Sequence, residues 1–197
     1  MHTYAGDPIA AARWLTRAVP TLERVGQLDG FVAYTYGEVA AASEPELALG
    51  WFEQAYRLCA AKGHFYNREV AGIGRVAVLI RLGRYQEATL GCRSLVENLR
   101  SVGMWPQLWI VLRLTAELLV ALENPEAAAV LLAAADADAL APAVIGPDLV
   151  RREALRVVIA DRLGGDRLAA AEEAGRRDGR TGAAERALAA LSVLATA

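Results

Sequence analysis

Lysine, histidine and cysteine are scarce in this chain of 197 residues. It contains a single lysine, Lys62, beside twenty arginines, and only two histidines and two cysteines. Nucleophilic triads and zinc sites both draw on histidine, so a supply this small argues against either. No HExxH spacing occurs, and His64 follows Gly63 in a sequence typical of a turn. We therefore expect no catalytic residue, no cofactor and no metal site, and we interpret the chain as non-enzymatic.

Three other features are missing: a phosphate-binding GxxxxGK(S/T) loop, an excess of positive charge and a long apolar run. The net charge is −2, and the arginine-rich stretch 148–186 holds nine arginines against eight acidic residues. A nucleic-acid binder carries a basic patch, which this balance does not provide. The longest apolar run, 127–135, is far shorter than the roughly 20 residues that span a bilayer. From these absences we predict that the chain does not contact nucleic acid directly and does not span a membrane.

The two cysteines, Cys59 and Cys92, lie 33 positions apart without a CxxC pattern. We interpret them as buried thiols in a reducing compartment rather than as a disulfide or a metal site. The first residues lack the basic and apolar stretches of a secretory signal, so a cytoplasmic location is expected. The preference for arginine over lysine, with abundant alanine, glycine and valine, is typical of proteins from GC-rich bacteria.

Alanine dominates the apolar residues, which make up 55% of the chain, while aromatic residues account for only 7%. Alanine has the highest helix propensity, and its small side chain allows helices to pack closely. Apolar triplets with helical spacing recur along the chain at a nearly constant interval. The triplets are Ala11/Leu15/Ala18, Ala48/Phe52/Ala55, Ala88/Cys92/Leu95 and Ala128/Leu132/Ala135. Their common interval of about 40 residues predicts an all-α helical repeat protein.

The turn at 82–88 sets the register of this repeat. Leu82 ends one helix, Gly83 turns the backbone, Tyr85 fills the corner, and Ala88 admits a close neighbour in the next helix. After a first helix over 7–25, helices are predicted over 29–42, 45–63, 66–82, 85–100, 106–122, 125–139, 148–163, 167–177 and 183–194. We predict a single domain over 1–197 with about ten helices. Its parts are a half repeat at 5–28, pairs at 29–63, 64–104, 105–141 and 142–178, and a capping helix at 183–195.

The predicted first helix has Asp7 as N-cap, Pro8 at its first position and Gly26 after its end. Pro20 in its interior predicts a kink near Ala18. Its triplet marks it as the second helix of a pair whose first helix is missing, so its apolar face is left uncovered. We expect that the chain is a fragment of a longer protein, or that a second copy covers this helix in a homodimer.

The sequence Leu82-Gly83-x-Tyr85-x-x-Ala88, followed by apolar residues at Cys92 and Leu95, resembles the tetratricopeptide repeat. With an interval of about 40 residues instead of about 34, it resembles the longer helical repeats of LuxR- and MalT-type bacterial transcription regulators of the STAND class. The stretch 126–136, the proline-containing loop after it and the helix at 148–163 resemble the closing segment of those regulators. The resemblance implies a right-handed α-solenoid of antiparallel helix pairs, with the NTPase module outside this chain.

In tetratricopeptide arrays the first helix of each pair lines a concave groove that binds peptides or ligands. Counted from the turns, five residues are predicted to lie in such a groove: Arg75, Trp109, Arg113, Glu117 and Arg151. Arginine and tryptophan suit recognition because they offer bidentate hydrogen bonds and large contact areas. The alternative is that Trp105 and Trp109 belong to the core and that the arginines are ion-paired.

The sequence therefore leads to the hypothesis of a non-catalytic interaction and regulatory domain, similar to the C-terminal array of LuxR- and MalT-type regulators. Its partner would be a protein or peptide, a small-molecule effector, or a neighbouring module of the same polypeptide. Two alternatives stay open. One is a free-standing adaptor that binds an extended peptide, and the other is a sensor with a closed apolar pocket for a small molecule.

Overall fold

The structure, a computed structural model, describes residues 30–194 and, before them, residues 10, 11, 13, 14, 17, 18, 20 and 21. These early residues are helical, with Ala11 buried and Ala18 exposed, while the remainder of the predicted first helix lies outside the described residues. The surroundings of the predicted kink at Pro20 also lie outside the described residues. The same holds for the apolar face of the first helix, on which the homodimer prediction depends.

Every regular element among the described residues is a helix, which confirms the all-α prediction. The eight helices are α1 (Gly30–Ala40), α2 (Pro45–Ala61), α3 (Phe65–Arg81), α4 (Tyr85–Ser101), α5 (Trp105–Ala121), α6 (Pro125–Ala137), α7 (Pro147–Leu163) and α8 (Gly165–Leu194). Residues 30–194 thus hold eight helical elements, and the predicted total of about ten also counted the first helix, 7–25. The predicted break between the helices 167–177 and 183–194 lies inside α8, which Gly179 divides into two helical segments, because its φ of 60° and ψ of −166° are not helical.

The helices in the middle of the chain follow a regular register. Helices α2 to α6 begin at positions 45, 65, 85, 105 and 125, so their starts advance by the same step each time. The turns between them repeat with the same period, with φ values of 68°, 70° and 71° at Gly63, Gly83 and Gly103. Two such steps account for the predicted interval of about 40 residues. Glu123 takes the fourth of these turn positions with φ of 61°, where the other turns have glycine.

Glu123→Gly is expected to stabilise the protein by about 0.5–1 kcal/mol, because the left-handed conformation strains a residue with a Cβ by about 1–2 kcal/mol and the greater freedom of glycine in the unfolded chain offsets part of that gain. The substitution removes the 3.0 Å ion pair with Arg162, but the Glu123 side chain is 79% exposed, and exposed pairs contribute little. Chemical denaturation measures the change in the free energy of unfolding. Gly83→Ala is the reverse control and should destabilise, since a Cβ there meets no atom within 4 Å and only the backbone is strained.

Contacts between Cα atoms group the chain into two compact units, Met1–Gly83 and Arg84–Ala197. The boundary falls inside the 82–88 turn, so the two helices of the predicted pair 64–104 belong to different units. In the first unit α1, α2 and α3 pack against one another around a small core of Ala33, Ala55 and Ala71.

Phe52 of α2 is the largest of the fully buried side chains described in the first unit, with 1% of its surface exposed. Its ring lies between two glycines, Gly37 of α1 and Gly74 of α3. A Cβ atom added to Gly37 would lie 2.7 Å from the ring, and one added to Gly74 would lie 2.4 Å from it. The missing side chains therefore create the space that the ring occupies, and they set the distances between the three helices.

Helix α8 is the element that ties the second unit together, because it packs against α4, α5, α6 and α7. It approaches α6 so closely that a Cβ on Gly175 would lie 2.3 Å from the Val130 carbonyl oxygen. Its second segment, 180–194, reaches α4, where Arg100 and Glu185 form a 2.9 Å ion pair. The predicted capping helix 183–195 thus contacts more than the preceding pair. In an open repeat array each repeat would contact only its neighbours.

The buried positions agree with those predicted from the sequence. The three triplets that lie wholly in the described residues are at most 5% exposed. Cys59 and Cys92 are free and buried, as predicted. Burial raises the pKa of the Cys92 thiol to about 12, although a hydrogen bond with Thr115 opposes the shift. None of the described helices is long and apolar enough to cross a bilayer.

Candidate interaction surface

The structure places Trp109, which was predicted to lie in a groove, in the core of the second unit with 1% of its surface exposed. Helix α8 also packs against α5. The Arg180 guanidinium lies 5.8 Å from the ring centroid of Trp105, and its Nε donates to Asp138 at 2.7 Å. The last helix of the chain covers this end of α5, and the alternative interpretation of Trp109 as a core residue describes its position.

Asp138, directly after α6, collects several donors at this point. Its carboxylate accepts hydrogen bonds from the Leu140 backbone N–H and from Arg180 Nε, both at 2.7 Å. Burial raises the pKa of this carboxyl, but these two hydrogen bonds, the charge of Arg180 and the nearby Trp109 indole outweigh it and hold the pKa below its usual value. The indole N–H is itself buried and makes no hydrogen bond of normal geometry. The contacts of Asp138 therefore join the end of α6 to α8.

Arg113 lies one turn after Trp109 on α5 and is half-buried. Its guanidinium donates to the Pro142 carbonyl oxygen at 2.7 Å, so it holds the loop after α6. Burial lowers the pKa of this guanidinium, Asp136 opposes the shift and Arg152 adds to it. Asp136 in turn pairs with Arg152 at 2.9 Å and with Arg156 at 3.2 Å. Arg113 is therefore engaged by its own chain.

The remaining predicted groove residues also have contacts within the chain. Glu117 is half-buried on the same face of α5 as Arg113. Arg151 pairs with Asp148 in the first turn of α7. Arg75 belongs to the first unit, where its Nε lies 3.4 Å from the Glu53 carboxylate. The structure brings Trp109, Arg113 and Glu117 together on α5, and it leaves Arg151 outside that group.

A cleft of about 440 Å³, here called the α6–α8 cleft, opens between α6, α7 and α8. Its apolar lining includes Leu132, Val157 and Leu168, one from each of the three helices. Its charged lining residues are Asp136, Glu153, Arg156, Glu172 and Arg176. An apolar recess of this size with a few polar groups at the edge is typical of a binding site.

Beside the cleft, α7 presents an apolar surface that no described helix of the second unit covers. Val150 is 71% exposed and Val157 is 61% exposed, and Ala154 and Val158 are exposed between and after them. An α-helix turns by about 100° per residue, so these four residues share one face. Ile159, which anchors α7 in the core, lies about 180° from Val150. We call the surface formed by Val150, Glu153, Ala154, Val157, Val158 and Asp161 the α7 outer face.

Most arginines around this surface form ion pairs, whereas two carboxylates on the surface itself do not. From residue 84 to residue 194, every arginine except Arg113 forms an ion pair with a carboxylate of the chain. Within the same described stretch, Glu153 and Asp161 form neither a hydrogen bond nor an ion pair, although both lie on the α7 outer face. The uncompensated charge of this face is therefore negative.

No cluster of three or more histidine, cysteine, aspartate or glutamate side chains suited to a metal ion occurs in the described part of the chain. No protein family, curated protein or solved structure matches this chain. The α7 outer face and the α6–α8 cleft are accordingly the features from which a function is inferred.

Proposed function

We propose that this chain is a non-catalytic interaction and regulatory domain that binds a partner protein through the α7 outer face. The observation that carries the proposal is that α7 is apolar on two opposite faces, and the described helices of the second unit cover only the face with Ile159. Contiguous exposed apolar surface marks interaction sites. The α6–α8 cleft beside it offers a recess for a side chain of the partner.

We also propose a tetratricopeptide-like architecture for this domain. The regular register of α2 to α6 supports tetratricopeptide-like pairs, and with them the right-handed solenoid that the resemblance to LuxR- and MalT-type regulators implies. In that setting the domain would lie in the cytoplasm of a bacterium. A partner protein or a neighbouring module bound to α7 would bias the regulator between two states, since a ligand shifts an equilibrium by its differential affinity.

Site-specific photocrosslinking in cells that make the protein naturally tests this proposal. A photoreactive phenylalanine analogue at position 157 is expected to give a discrete adduct with another protein. The same analogue at Leu90, which is similarly exposed on α4, is expected to give none. Val150→Arg should abolish the adduct, because it places a charge on the docking face without altering the cleft. Equal adducts at both positions, or none at position 157, would contradict the proposal.

The Val150→Arg variant also separates this function from the small-molecule sensor. The volume of the α6–α8 cleft suits a small ligand, which would bind between α6 and α8 without touching Val150. A thermal-shift screen against sugars and metabolites reports such a ligand as stabilisation. Stabilisation that persists in Val150→Arg, together with no crosslink at position 157, would replace the interaction domain with a sensor.

A further inference from the structure

We infer that the partner presents a basic amphipathic helix to the α7 outer face. Its apolar side chains would contact Val150 and Val157, and its lysine or arginine side chains would lie beside Glu153 and Asp161. This inference rests on the proposed function and adds the chemistry of the partner.

The shape of the surface favours a helix over an extended peptide. The exposed apolar residues lie along a convex helix with no free strand edge to extend, since every regular element among the described residues is helical. Val150, Ala154, Val157 and Val158 follow the spacing i, i+4, i+7 and i+8, which is the pattern of a helix–helix seam. A second helix with the same spacing packs its side chains between these residues along two turns.

The charge of the surface favours a basic partner. The arginines of α7 lie towards the core or on its flanks, and each forms an ion pair: Arg151 with Asp148, Arg162 with Glu123, and Arg152 and Arg156 with one shared carboxylate, Asp136. Glu153 is unpaired at one edge of the apolar stripe, and Asp161 is unpaired one turn after Val157, in line with the stripe at its C-terminal end. A partner with cations beside these two positions gains both pairs, whereas an acidic partner meets like charges.

The α6–α8 cleft continues this surface, because Val157 and Glu153 belong to both. Its lining includes Ala129, Ala133 and Ala160, whose small side chains leave the recess open. A helix lying on Val150 and Val157 is therefore able to send one long apolar side chain, such as leucine or methionine, into the cleft. Such an anchor in a pocket is the usual centre of a protein interface.

A second copy of this chain fits the surface less well. A symmetric dimer built on the α7 outer face would bring the same residues of both copies to one interface. That interface would hold four unpaired carboxylates, two from each copy, while the flanking Arg151 and Arg162 are already paired within their own chain. The negative charge likewise excludes nucleic acid as the occupant, since phosphates require a basic surface.

Fluorescence anisotropy with two synthetic peptides tests the inference on the full chain. Both peptides match the length of α7 and carry leucine at i, i+4, i+7 and i+11. One has lysine on the flanks of the leucine stripe and the other has glutamate. The lysine peptide is expected to bind at least about tenfold more tightly than the glutamate peptide, and more weakly as ionic strength rises.

Three variants of the chain make the result specific. Val157→Asp should abolish binding of the lysine peptide. The double variant Glu153→Lys/Asp161→Lys should weaken that binding by about tenfold and improve binding of the glutamate peptide. Glu44→Lys/Glu46→Lys makes the same change of net charge on two exposed residues of the first unit and should change neither affinity. Thermal unfolding shows whether each variant is folded.

The possible binding results distinguish the basic partner from the docking face itself. Equal binding of both peptides that Val157→Asp abolishes would overturn the basic partner and leave the docking face in place. Binding that Val157→Asp does not affect, or no binding of either peptide, would also overturn the inference, and the crosslink at position 157 would decide the proposed function separately. Self-association of the chain that disappears in Val157→Asp would assign the surface to a second copy instead.

Discussion

Gly74→Ala is expected to destabilise the first unit by about 2 kcal/mol, although alanine normally stabilises a helix by about 1 kcal/mol relative to glycine. The new Cβ atom would lie 2.4 Å from the Phe52 ring, far inside the contact distance of two carbon atoms. The ring has little room to move, because the backbone at Gly37 is also so close that a Cβ there would lie 2.7 Å from it. The free energy of unfolding from chemical denaturation measures the effect.

Gly50→Ala is the matched control for this prediction. Gly50 lies on the exposed side of α2, and a Cβ there meets no atom within 4 Å. Helix propensity alone then acts, and a gain of up to about 1 kcal/mol is expected. Phe52→Leu in the Gly74→Ala background should recover part of the loss, which a double-mutant cycle records as a coupling energy. Equal effects at positions 50 and 74 would show that Phe52 does not limit the approach of the helices.

Trp109→Ala is expected to lower the free energy of unfolding by about 3–5 kcal/mol, the usual cost of removing a fully buried large aromatic side chain. A loss of that size is a substantial part of the stability of an ordinary domain. Trp109→Phe should cost less, because most of the ring volume stays in place. If Trp109 instead lay in a groove open to a partner, Trp109→Ala would change stability by less than about 1 kcal/mol.

Ile110→Ala serves as the control on the same helix, since Ile110 is the next residue and is 37% exposed. It is expected to cost about 1 kcal/mol or less. Binding of the lysine peptide separates the two roles of the region. Trp109→Phe should leave that binding unchanged, because the α7 outer face does not include Trp109. A loss of peptide affinity in a stably folded Trp109→Phe protein would return Trp109 to the binding surface.

Much of the local structure follows from the sequence. Helices α2 to α6 were predicted close to their observed ends because the turn at Gly83 recurs with a fixed period, and glycine with positive φ ends a helix in a defined way. Buried triplets such as Ala88, Cys92 and Leu95 followed from the helical period. These features depend on neighbouring residues, so the pattern of the chain records them directly.

The partners of each helix were harder to predict, because they depend on contacts between distant residues. The approach of α8 to α4 through Arg100 and Glu185 has no local signal, and neither has the position of Arg180 of α8 beside Trp105 of α5. The α7 outer face, in contrast, has a signal in the sequence. Val150 and Val157 share one face while Ile159 lies opposite, and two apolar faces on one helix indicate that one of them needs another partner.

The ion pair between Arg100 and Glu185 joins residues that are 85 positions apart in the chain. The contacts among α1, α2 and α3 involve no residue after 83, so during synthesis they do not have to wait for the second unit. The second unit has to wait for 180–194, because α4 and α6 keep apolar surface exposed until α8 arrives. Contacts of such long sequence separation form slowly. The second unit is therefore the part of the molecule most in need of protection from aggregation while it is being made.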